Sequence, residues 1–258
     1  MAKLDKTQYT KEEWIRVRAE RRARKSNDRR IKELAQVAAQ SVQPAKIKKP
    51  SVEIPAGFMP KSKNEVAFII GNGTSRKSIP LEHLRDYGTI YGCNALYREF
   101  EPDYLIAVDT KMILEINKAG FQKNHSVWTN PNKAYQKFTG FNYFSPSKGW
   151  SSGPTALHLA SEHKNNEIYI LGFDYIGLEN NKTVNNIYAD SFNYKKSHDG
   201  ATYHGNWLKQ TCITCQKFPK KRYIRVLGEP NFIPKEFNSL TNFEHITIEE
   251  FKKIFNIS

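Results

Sequence analysis

The chain has 258 residues, 39% hydrophobic and 12% aromatic, and a formal net charge of +14. That apolar content excludes a wholly disordered chain and suits one large domain with an appendage. Three cysteines exclude a disulfide framework, and no apolar run approaches the about 20 residues that a membrane-spanning helix needs.

The charge is concentrated at the start. Residues 1–50 hold fifteen Lys/Arg against six Asp/Glu, so +9 of the +14 lies there. "TKEE" at 10–13 has the form of a capping box, in which Thr10 and Glu13 satisfy each other's backbone amides. The helix that it opens carries only a thin apolar stripe, Trp14 and Val17 and then Ile31, Leu34 and Val37. Between these lies "RVRAERRARKSNDRR", with Arg21, Arg22, Arg29 and Arg30 among its cations. We expect residues 1–40 to be a basic helical arm: a solvated helix or coiled-coil fragment, an arm for a polyanion such as nucleic acid, or a docking helix for a large assembly. Residues 41–63 contain four prolines and no sustained period, the composition of a linker.

The body is expected over 64–258. "VAFII" (66–70), "TIYGC" (89–93), "YLIAV" (104–108), "IYIL" (168–171) and "YIRVL" (223–227) read as buried strands. "IPLEHLRDY", "TKMILEINKAG", "SGPTALHLASEHK" and "HGNWLKQTCITCQKF" read as the helices between them. Short apolar strands alternating with amphipathic helices predict an α/β fold, a Rossmann-like parallel sheet with helices on both faces. Cys212 and Cys215 form a CxxC without a second pair at zinc spacing, so they read as packing residues of the last helix and no metal site is expected.

In such a sheet the ligand crevice lies beyond the carboxyl ends of the strands. The loops expected there are GNGTS after the first strand, "GCNALY" after the second and "VDTK" after the third. "KGWSSGPTALHLA" opens a helix, and "LGFDYIG" follows the strand at 168–171. Gly71 and Gly73 would let a ligand approach the backbone, and Ser75 with the following amides suits phosphate or ribose oxygens. Asn72 and Asn94 offer donors and acceptors without charge. Asp109, Ser151, Ser152, Gly153 and Asp174 complete the expected nucleotide-binding set, with Asp174 also expected to brace its loop. GNGTSR lacks the third glycine of the dinucleotide fingerprint, and no Gly-Lys-Ser/Thr follows to make a Walker loop. The Asn-, Lys- and Tyr-rich segment 177–203 has no period and reads as a lid or acceptor-binding loop.

On the strand followed by "GNGTS", the "CN" after the second strand, "SSG" opening a helix and "IYILGFD", residues 66–227 resemble the bacterial sialyltransferases that use CMP-activated sialic acid. They also resemble the related MptE-like group, named for a 6-hydroxymethylpterin diphosphokinase. The resemblance implies a nucleotide pocket lined by Asn72, Asn94 and Ser152. It implies His204, in "TYHGNW", as the base that takes the proton of an acceptor hydroxyl, and Tyr188, in "NIYAD", as a donor to the departing phosphate. It implies a nucleotide or nucleotide-sugar ligand, CMP-type or ATP-type, with magnesium fitting the diphosphokinase version and not required by the glycosyltransferase one. Two positions depart from the family. Ile176 stands where a second phosphate-binding tyrosine is expected, and Asp109 stands where the sialyltransferases have an amide.

Two functions are therefore open. The first is a nucleotide-dependent transferase, glycosyltransferase-like or diphosphokinase-like, with a nucleotide-activated donor and an acceptor hydroxyl. The second is a non-catalytic binding or structural protein on the same fold, docked through its basic arm, for example a viral accessory or particle component. A cytoplasmic location, host cytoplasm or virion if viral, goes with either.

Overall fold

The computed structural model describes residues 65–257. The arm of residues 1–40, with Arg21, Arg22, Arg29 and Arg30, and the linker at 41–63 lie outside them. The described residues form an eight-stranded sheet: β1 Val66–Ile70, β2 Thr89–Cys93, β3 Tyr104–Ile106, β4 Val127–Thr129, β5 Phe141–Tyr143, β6 Glu167–Leu171, β7 Arg222–Leu227 and β8 Phe243–Thr247. Every pairing is parallel and the order is β5-β4-β3-β2-β1-β6-β7-β8. The expected Rossmann-like parallel sheet is what the chain forms.

Strand alternation builds the two cores. Val66, Phe68 and Ile70 of β1 face one side with Tyr169, Leu171, Ile224 and Val226, while Ala67 and Ile69 face the other with Tyr91, Ile168, Ile170 and Tyr223. All five residues of β1 are fully buried, which explains a strand that reads as a continuous apolar run. Helix α1, Thr110–Ala119, covers the first face through Met112, Ile113 and Ile116. Helices α2, Ser152–Glu162, and α3, Gly205–Lys217, cover the second through Ala156, Leu157, Ala160 and Cys215. The short C-terminal helix α4, Ile248–Ile254, returns Phe251 and then Phe255 to the first face. Its N-terminus carries a complete capping box, Thr247 with Glu250.

Three strands have no counterpart in the sequence reading. β4 and β5 have three residues each, too few to show a period, and β8 ("FEHIT") is interrupted by charge because it is an edge strand. "IPLEHLRDY" was expected as a helix and forms a 3-10 turn over Leu81–Asp86 instead. Between β1 and β2 the connection is taken up by the GNGTS loop and two 3-10 turns, the second of which lays Leu81 and Leu84 onto the core.

Candidate functional site

Going outward from the middle of the sheet, chain order runs one way through β2 and β3 and the other way through β6 and β7. The reversal lies between β1 and β6, and in open α/β sheets that switch point opens a crevice at the carboxyl ends. A cavity of about 360 Å³ lies there, lined by Gly71, Asn72 and Gly73 after β1, Asn94 after β2, Asp109 at the start of α1, and Ser151, Ser152 and Gly153 at the start of α2. Asp174 after β6 and His204 at the start of α3 complete the expected residues in its wall. Ser75 and Tyr188 do not line it.

The β1 and β6 loops are zipped together. Gly71 N donates to Leu171 O (2.8 Å) and Gly73 N to Gly172 O (2.9 Å), carrying the parallel ladder past the strand ends. Asp174, buried, accepts from the amide of Ser75 (3.2 Å), from its hydroxyl in a very short bond, and from Asn185 Nδ2 (3.0 Å). Asn185 also accepts from the amide and hydroxyl of Thr74, both at 2.9 Å. Burial pushes the Asp174 carboxyl upward, while the Ser75 hydrogen bonds, the Arg225 charge and Asn185 oppose that. Asp174 and Ser75 thus spend their polar atoms on each other.

This clamp changes the reason for the glycines. A Cβ on Gly73 would collide with the Asp174 carboxylate and stand 2.7 Å from Gly172 O, and one on Gly71 would stand 2.6 Å from the same oxygen. The close approach at GNG is therefore made by the β6 loop, where the sequence reading had put a ligand. Gly172 itself has φ 68°, the left-handed region that glycine adopts without strain.

Around the rest of the rim, Ser152 Oγ donates to Asn94 Oδ1 (2.7 Å) and accepts from Val108 N (3.1 Å), tying the ends of β2, β3 and α2 together. Asn94 takes φ 52°, a conformation asparagine tolerates, and keeps its amide NH₂ for the cavity. The α2 N-terminus has no side-chain cap, and Pro154 sits in its first turn, where a missing amide costs nothing. Asp109 stands exposed at the rim, N-terminal to α1 and without a capping bond, and the protein mass beside it pushes its carboxyl upward.

Residues 177–203 build one wall. Ile187 N donates to Asn72 O (2.9 Å), and Asn193 Nδ2 donates to Glu115 of α1 (2.7 Å). Within this wall the two tyrosines have opposite fates. Tyr188 turns inward, donates to Glu99 (2.6 Å) and accepts from Arg76 (3.0 Å), and Arg76 also holds Gly71 O at 2.7 Å. Tyr194 lines the cavity, and its phenol oxygen accepts from Asn72 Nδ2 (3.1 Å) and Ala95 N (3.3 Å). A phenol with both acceptor positions filled has its own proton left to donate. Burial pushes the Tyr194 phenol far above its usual range, so it stays protonated.

His204 is half-buried, its ring edge-on to Trp207 at 5.0 Å, and neither ring nitrogen has a hydrogen-bond partner among the described residues. Burial, with a smaller contribution from the charge of Lys195, lowers its imidazole to about 4, so it is neutral near pH 7. Cys93 lines the cavity floor, its thiol pushed up to about 12 by burial and so not a nucleophile. Tyr175 and Ile176 both line the cavity, and the Tyr175 phenol is taken by Thr211 at 2.8 Å.

Sequence reasoning missed Tyr194, Lys195 and Asn185. Their only signal was the density of Asn, Tyr and Lys in an aperiodic stretch. No family model, no curated protein and no solved structure matches the chain. Among the described residues, no helix is long and apolar enough to cross a membrane.

Proposed function

We propose that this protein is a nucleotide-dependent transferase of the glycosyltransferase-like kind, taking a nucleotide-activated donor and an acceptor hydroxyl. The observation that carries the reading is a switch-point cavity whose lining combines neutral amides, among them Asn72 with an unpartnered buried Oδ1, with an unpartnered, neutral imidazole. Asn94 and Asn72, with Ser151, offer uncharged contacts suited to a sugar or a base edge. His204 takes the proton of the acceptor hydroxyl as its oxygen bonds to the donor's reacting carbon. The bond from that carbon to the phosphate oxygen breaks, and Tyr194 donates its free phenol proton as a hydrogen bond to the charge that develops there. Tyr188, locked to Glu99, supports the loop from behind instead.

The carboxylates give little support to a resident metal. Asp174 is engaged by Ser75 and Asn185, which leaves Asp109 alone on the rim, and among the described residues no group of three metal-ligating side chains occurs. Asp109 alone could still meet a magnesium ion carried in on the phosphates of a nucleotide, so the Mg²⁺ arm of the panel below decides between the glycosyltransferase-like and diphosphokinase-like versions.

A thermal-shift panel of CMP, CDP, ATP, GTP and UDP-sugars, with and without Mg²⁺, tests the reading. A ligand at 100 times its dissociation constant stabilises by about 2.7 kcal/mol. His204→Ala is expected to keep that shift and lose transfer and donor hydrolysis. A protein that no nucleotide stabilises would leave the binding or structural reading in its place.

A further inference from the structure

The cavity wall carries one feature that proton transfer does not use. Besides His204, the ionisable side chains lining the cavity are Asp109, Asp174, Lys195, the phenols of Tyr175 and Tyr194, and Cys93. Burial pushes both phenols and the thiol upward, so they are neutral, and Asp174 is consumed by Ser75 and Asn185. Lys195 is thus the cation among these lining residues. Its ammonium makes a single bond, to Gly200 O at 3.1 Å, and among the described residues no carboxylate lies within ion-pair distance. A carbonyl satisfies one of three ammonium donors and none of the charge. The same cavity is lined by Ser152 and Gly153, whose amides, in the first turn of α2, have no intrahelical acceptor.

We propose that Lys195 is the anion-recognising side chain of this pocket: it receives a phosphoryl group of the ligand in the cavity that the α2 amides and His204 also line. The inference rests on the transferase reading for the identity of the ligand, and not for the anion site itself. A consequence for His204 follows from charge. In the free protein the Lys195 ammonium opposes a second positive charge on His204, adding to the effect of burial. A phosphoryl group on Lys195 offsets that opposition with a negative charge in the same cavity, so the imidazole becomes a stronger base once the ligand is bound.

The test uses the full chain and two probes. In calorimetric titrations a nucleoside 5′-monophosphate is expected to bind about tenfold more tightly than its nucleoside, the scale of one charged hydrogen bond. The preference should vanish in Lys195→Gln and return in Lys195→Arg; a preference kept by Lys195→Gln overturns the proposal. Inorganic phosphate, followed by NMR of the His204 ring, is the second probe. The wild-type imidazole should titrate at higher pH with phosphate present, and in Lys195→Gln it should already titrate higher without it. A His204 titration that neither phosphate nor Lys195→Gln moves also overturns the proposal. If neither nucleoside nor nucleotide binds while phosphate moves His204, the transferase reading fails and the anion site stands. Lys195 is exposed, so its substitution leaves the fold intact and a melting curve checks this.

Discussion

At the scale of the residue, the clamp between the β1 and β6 loops decides what a substitution does. Because a side chain at Gly73 meets the Asp174 carboxylate and a backbone oxygen, Gly73→Val is expected to destabilise the free protein by about 1–3 kcal/mol, the range for forced overpacking. A denaturant midpoint unchanged from wild type would show that the loop yields and that the glycine serves the ligand alone. Tyr194 and Tyr188 separate in the opposite sense. Tyr194→Phe removes the free proton and also the acceptor of Asn72 Nδ2 and Ala95 N, so nucleotide affinity should fall together with the melting temperature. Tyr188→Phe leaves Glu99 and Arg76 without a shared hydroxyl and should lower stability first. Equal effects of the two in a paired binding and melting measurement would contradict their opposite placements.

At the scale of the element, α4 shows how a short helix is held. Seven residues are too few to be stable on propensity, so the helix depends on its cap and on burial. Phe251 and Phe255 pack their rings around Phe68 at 6.2 and 5.1 Å, and Phe255 stands 4.9 Å from Tyr169. Thr247 accepts from Glu250 N while Glu250 returns to Thr247 N. Thr247→Ala should cost about 1 kcal/mol, read as a shift in urea midpoint at constant slope. A changed slope would mean that α4 unfolds separately from the sheet.

At the scale of the whole molecule, buried imidazoles set the response to acid. His158 is 2% exposed and held at about 4 by burial, with Glu162 opposing and Lys148 and Lys217 adding to the depression. His245 is also lowered to about 4 by burial and by the Arg225 charge, and His204 behaves alike. Unfolded, these rings bind protons near 6.5; folded, they bind them only near 4. The unfolded state therefore holds more protons through that window, so the stability present above about pH 6.5 is lost as pH falls toward 4. Urea midpoints at pH 7 and pH 5 measure it, and His158→Gln should flatten the slope. The arm is testable on the same scale. If residues 10–40 bind a polyanion, affinity should fall steeply with salt and vanish when Arg21, Arg22, Arg29 and Arg30 become Glu. Salt-independent binding would point to a shape-specific docking helix. The eight strands of the described residues lie within residues 66–247, so a chain lacking residues 1–60 should remain folded.

Apolar runs made the central strands legible from the sequence, because β1, β2, β6 and β7 are buried on both faces and are mostly apolar, with Arg225 of β7 a buried exception. The α/β class and the small polar loops at the carboxyl ends followed from that pattern alone. The short and edge strands β4, β5 and β8 were not legible, because three residues show no period and an edge tolerates charge. Nor could sequence choose between Tyr188 and Tyr194. Left-handed residues at Asp190 and Asn193 reverse the chain between them, sending one phenol to Glu99 behind the loop and the other to Asn72 at the cavity. Gly73 divides the same way: the sequence called for a residue without a side chain, and only the packing of the β6 loop against it decided that Asp174 fills the space. Local pattern reports how much of a segment is buried, whereas the direction of a side chain in an aperiodic loop is set by contacts far away in the chain.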